Sequence, residues 1–144
     1  MSLADYQPIR ETVESRKGKF SVSVRGLALD DIVMLFNKNL DDINKLFDIY
    51  GKSPVMTEQI GESVQIATRL ISEAPDIAAR IISLACDEPD QFEKARKLTI
   101  PLQIEIIKKV IELTFYEAGG ARNFLASLRQ TMGMMIPGLR ASNI

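Results

Sequence analysis

The first regular pattern along the chain has a period of two. Phe20, Val22 and Val24 alternate with Ser21, Ser23 and Arg25, which predicts a short strand with one apolar face. Upstream, the run from Arg10 to Glu14, with Thr12 and Val13, has the composition of a partner strand. Between them Arg16-Lys17-Gly18-Lys19 offers a turn in which Gly18 takes the positive φ that hairpins need. The expectation is a short N-terminal β-strand or hairpin. An isolated hairpin is marginal in water, so it must pack on helices or on a neighbouring subunit.

After Gly26 the period lengthens to that of a helix. Ile32, Leu35, Phe36, Leu40, Ile43, Phe47 and Tyr50 fall on one stripe, opposite Asn37, Lys38, Asp41, Asn44, Lys45 and Asp48. Asp30 or Asp31 suits the start of this helix and Gly51 its end. Ser53-Pro54 opens a second helix, with Ile60, Val64, Ala67 and Ile71 on its buried side. Pro75 starts a third, with Ile77, Ala78, Ile81, Ile82 and Ala85 inward. Asp87-Glu88-Pro89 then repeats the cap-and-proline arrangement before a short fourth helix carrying Phe92 and Ala95. From about Ile100 to Glu117, Leu102, Ile104, Ile106, Ile107, Val110, Ile111, Leu113 and Phe115 leave a narrow polar strip at Glu105, Lys108, Lys109 and Glu112. This segment is expected at the centre of the fold, with Glu105 and Lys109 spaced for a helical ion pair. Gly119-Gly120 breaks the chain, and Ala121, Phe124, Leu125 and Leu128 form a last helix ahead of Met132-Gly133-Met134-Met135-Ile136.

These elements predict a mainly α, single-domain helical bundle of about five to six helices with a short N-terminal β-strand or hairpin. The chain divides into an N-terminal segment over 1–19, holding the first hairpin strand, a helical domain over 20–130, and a Met-rich flexible tail over 131–144. A length of 144 residues, 46% hydrophobic and 26% charged, suits one globular domain with a core of its own.

Charge and residue chemistry narrow the function. Eighteen basic against nineteen acidic residues, a formal net charge of -1, supply no field for nucleic acid, so no nucleic-acid partner is expected. The apolar runs are far below the roughly 20 residues that cross a membrane, and no membrane partner is expected either. The chain has no histidine, which removes the usual general base near neutral pH and the commonest metal ligand. Cys86, the single cysteine, lies among Ile81, Ile82, Leu84 and Ala85 and reads as a small core residue. Asp30-Asp31 sits where a helix start needs acid, and Asp41-Asp42 falls on a polar helix face, so neither pair reads as a metal or acid/base site. Arg16, Lys17 and Lys19 read as solvated charges, and Gly119-Gly120 matches no phosphate-binding glycine spacing. The expectation is a protein that binds other proteins, with no catalytic, cofactor or metal residues. Met132, Met134, Met135 and Ile136 are the candidate partner contacts, because methionine adapts to varied apolar surfaces; a frayed apolar helix end is the competing reading.

Two stretches carry a family resemblance. One is Val24-Arg25-Gly26-Leu27-Ala28-Leu29-Asp30-Asp31-Ile32. The other runs from Ala95-Arg96-Lys97-Leu98-Thr99-Ile100-Pro101 through Gln103 and Ile107 to Ile111-Glu112-Leu113-Thr114-Phe115. In these, and in helix order from about Phe20 to Leu128, the chain resembles the tail assembly chaperones of phages with long non-contractile tails, also called pre-tape-measure chaperones. The resemblance implies a non-enzymatic helical protein that keeps the tape measure protein soluble until tail tube subunits polymerise around it. It implies homo-oligomers, a location in the host bacterial cytoplasm and absence from the mature virion. It also implies a longer frameshifted form that recruits tail tube protein. The competing reading is a structural tail or head-tail joining protein retained in the virion.

Overall fold

In the computed structural model, which describes residues 1–44 and 62–115 of the chain, Gly18 takes φ 67° at the tip of an N-terminal hairpin. Strand β1 (Arg10–Glu14) pairs antiparallel with β2 (Ser21–Arg25), Val13 lying opposite Val22 and Glu11 opposite Val24. Val13 and Val24 are buried and Val22 is half-buried, so one face of the hairpin packs inward. Phe20, expected on that face, is exposed. It precedes β2, and its carbonyl closes the turn by accepting from the Ser15 N–H at 2.8 Å.

Helix α1 (Leu29–Lys38) begins after Ala28, whose N–H donates to Asp31 Oδ2 at 2.7 Å. Asp31 therefore satisfies the backbone from inside the first turn, while Asp30 is exposed. The expected continuous stripe through Leu40 and Ile43 is interrupted at Asn39. Helical pairing resumes over residues 40–44, with the Ile43 N–H donating to the Asn39 carbonyl. Asn39 is buried, and its side-chain oxygen accepts from Arg80 Nε at 3.0 Å. Asn44, expected on the polar side, is buried. Phe47, Tyr50, Gly51, Ser53-Pro54 and Ile60 lie outside the described residues.

Helix α2 (Glu62–Glu73) buries Ile66, Ala67 and Leu70, with Ala74 buried just beyond it. The expected stripe is rotated: Val64 is exposed and Ile71 only half-buried, because α2 meets both α3 and α5 and those two neighbours set its inner side. Helix α3 (Pro75–Ala85) has Pro75 in its first turn and, apart from half-buried Arg80, is buried from Ile77 to Ala85. It touches α1, α2, β2, helix α4 (Phe92–Arg96) and helix α5 (Ile100–Phe115). The centre of the fold is thus α3. Helix α5 packs beside it, with Ile106, Ile107 and Val110 fully buried and Ile100 exposed.

The hairpin rests on α5, where Lys109 Nζ lies 3.7 Å from Glu11 of β1 and 3.8 Å from Glu112 of its own helix. Lys109 reaches these carboxylates in place of the expected Glu105. Arg80 also lies over the Phe92 ring, 4.4 Å from its centroid, and joins α3 to α4. The fold is mainly α with a short two-stranded antiparallel hairpin at its N-terminal end.

Candidate functional site

Asp87 ends α3. Its φ of 59° is the left-handed conformation, its N–H donates to the Leu84 carbonyl at 3.0 Å, and the Glu88 N–H reaches back to Ser83 at 2.8 Å. This is the reciprocal closure that usually places glycine at the turning residue. In the Asp87-Glu88-Pro89 run, Pro89 opens the following helical segment as expected, although Glu88 makes no side-chain cap there, and Asp87 closes the preceding helix. Aspartate occupies the turn because its carboxylate has partners: Arg25 Nε at 3.0 Å, Arg25 Nη2 at 2.8 Å and Arg10 Nη2.

Arg10 and Arg25 stand directly opposite each other across the hairpin, a like-charge pairing that is unfavourable by itself. The Asp87 carboxylate lies between them and reverses the sign. Arg25 also donates through Nη1 to Asp31 Oδ2 at 2.6 Å and through Nη2 to the Leu84 carbonyl at 3.1 Å. Its guanidinium thus ties the strand to the start of α1 and the end of α3, where the helix dipole favours a cation. Hydrogen bonds to Asp31, then to Asp87, outweigh burial and raise the Arg25 pKa further above its ordinary value. The same bonds, from Arg25 and then Arg10, hold the Asp87 carboxyl below the usual carboxylate range.

A second joint follows at once in sequence. A Cβ on Gly26 would lie 2.9 Å from the Thr114 nitrogen and 3.0 Å from the Leu113 carbonyl, so only glycine lets the chain lie this close to α5. The Leu27 N–H donates to Thr114 Oγ1 at 2.8 Å, and that hydroxyl donates to the Val110 carbonyl at 2.6 Å. A third joint is buried Gln103, whose Nε2 donates to the carbonyls of Ala95 at 2.9 Å and Arg96 at 3.3 Å, closing the end of α4. The two stretches singled out by their resemblance meet here, Gly26-Leu27 against Leu113-Thr114.

These joints fix α1 at its start and, through Asn39 and Arg80, at its end. On its outer side Leu29 is 71% and Val33 46% exposed. The two are four residues apart and share one helical face, off the stripe of Leu35 and Phe36. Sequence periodicity assigned them no role, although that spacing beside an already complete inner stripe was the available signal. Met132, Met134, Met135 and Ile136 lie outside the described residues. Cys86 is half-buried, and burial, then the charges of Glu88 and Asp87, push its thiol up to about 11, so it is a protonated packing group at neutral pH. Among the described residues, no cluster of acidic, Cys or His side chains is arranged for a metal, and no helix is long and apolar enough to cross a membrane.

Fold and surface together define a small helical protein with a clamped hairpin and an outward apolar helix face. The sequence model of the family described as pre-tape measure protein matches residues 1–143, and the chain belongs to that family of phage tail assembly proteins. No curated protein and no solved structure matches the chain.

Proposed function

We propose that the chain is a non-enzymatic tail assembly chaperone that binds the tape measure protein and keeps it soluble until the tail tube polymerises. The observation that carries this reading is the outer face of α1. Leu29 and Val33 are presented to solvent on a helix held at both ends, so little order has to be gained when a client helix lies against them. A tape measure protein offers long apolar helix of the kind such a face accepts. Met132, Met134, Met135 and Ile136 add adaptable apolar contacts in this reading, and the protein leaves before the virion is complete.

Co-expression with the tape measure protein of the same phage tests the reading. The expected result is a soluble complex that survives purification, together with absence of the chain from purified virions by mass spectrometry. The double variant Leu29→Glu, Val33→Glu alters only exposed positions, and it should keep its melting transition while releasing the client. A client equally soluble without the chain, or undiminished binding by the double variant, overturns the proposal.

A further inference from the structure

Among the described residues, the outer edge of β1 is open. Because the Ser15 N–H donates to the Phe20 carbonyl, residues 15 and 20 are a hydrogen-bonded pair of the ladder. Alternation then turns the backbone groups of Glu11 and Val13 toward β2, and those of Arg10, Thr12 and Glu14 away from it. Among the described residues no backbone group takes up these outward positions. Arg10, Thr12 and Glu14 are also exposed side chains. A row of unpaired donors and acceptors is a template for another strand.

We infer that a second copy of this chain occupies that edge, β1 against β1 and antiparallel, with Thr12 facing the partner's Thr12 on a two-fold axis. The charge order of β1 selects this occupant. In that register Arg10 falls opposite the partner's Glu14, and Glu14 opposite the partner's Arg10, on the face turned away from α5. Sliding the strands by two residues in either direction separates both pairs. A slide by one turns the bonding groups away from each other. Pro8 occupies the next outward position and has no N–H to give, so the ladder ends at Arg10.

The edge of β2 has no equivalent complement. About Ser23 it would set Ser21 opposite Arg25, whose guanidinium is already engaged by Asp31 and Asp87. Arg10 spends one nitrogen on Asp87 and keeps other donors for a carboxylate across the axis. Pairing β1 with β1 turns a two-stranded sheet into a four-stranded one, above the number at which sheets become stable in their own right. The contact is isologous, so it closes at two subunits. It rests on the geometry of the hairpin and not on the client reading.

Sedimentation of the full chain should give a dimer that dissociates on dilution. Thr12→Pro removes an N–H that β2 does not use. It should give monomer with unchanged circular dichroism. A cysteine pair keeps the test valid if that proline disturbs the hairpin. In a Cys86→Ser background, Thr12→Cys should form a covalent dimer on mild oxidation, since directly opposed hydrogen-bonded positions lie about 5.5 Å apart at Cα, within disulfide reach. Ser23→Cys in the same background should not. Monomeric wild-type chain at all concentrations, or cross-linking through Ser23→Cys and not Thr12→Cys, overturns the inference. So does a monomer whose client binding is lost in Thr12→Pro, which assigns the edge to a client strand. Client release by the α1 double variant is scored separately, so either proposal fails without the other.

Discussion

Arg25 meets Asp87 across 62 residues of sequence, giving it two N–H groups at 3.0 and 2.8 Å while the same guanidinium holds Asp31. One planar cation thereby fixes three elements whose residues are unremarkable one at a time. Replacing it by lysine keeps the charge but loses the fork. Arg25→Lys is expected to cost about 3 kcal/mol, the range for disrupting a buried ion pair, in urea unfolding followed by circular dichroism. Asp87→Asn should cost less than that, since asparagine tolerates the left-handed turn and still accepts one N–H. A larger loss from Asp87→Asn than from Arg25→Lys would show that the turn, not the arginine, organises this corner.

Acid should loosen the same corner. The folded Asp87 carboxyl titrates below its unfolded value of 3.8, so its contribution is present above that pH and fades as pH falls further through the folded value. Between neutrality and about pH 5 this group leaves stability flat, because it is ionised in both the folded and the unfolded chain. Below pH 4, Asp87→Asn should lose less stability than the wild type. Parallel curves for the two proteins would remove Asp87 from the account.

Gly26→Ala tests the joint to α5. Its new methyl would meet backbone atoms of Leu113 and Thr114 that have no rotamer to escape into. Overpacking of this kind costs about 1–3 kcal/mol, and hydrogen exchange at Leu27 should speed up as its bond to Thr114 is lost. Unchanged exchange at Leu27 would mean the contact is softer than its geometry.

Ile107→Asp should cost about 4–5 kcal/mol or prevent folding, because the residue is fully buried and the new charge finds no partner. Lys108→Ala, next to it and half-buried, should change stability by about 0.5 kcal/mol. Thermal melts of the two variants check both, and similar tolerance of each would displace α5 from the core.

Wherever one local rule governed, the sequence was legible. Period two and Gly18 located the hairpin, Pro75 the start of α3, and the dense apolar run of α5 its inner side. It misled where a distant partner decided the outcome. The stripe through Leu35, Leu40 and Ile43 read as one continuous helix, and its break falls at Asn39, whose side chain is held by Arg80, 41 residues on. Val64 and Ile66 are equally apolar, and only the placement of α3 and α5 chooses Ile66. Arg25 read as the polar half of a strand alternation. Nothing within several residues of it announces Asp87.

Leu27 is fastened by Thr114, 87 positions later. During synthesis, at roughly 5–20 residues per second, the hairpin and α1 therefore wait on the order of 4–17 seconds for the hydroxyl that secures them. For that interval the apolar side of the hairpin is presented to whatever else the ribosome's surroundings hold. The earliest segment made is among the last to be locked, and a nascent chain stopped before α5 would leave the apolar side of its hairpin without the helix it rests on.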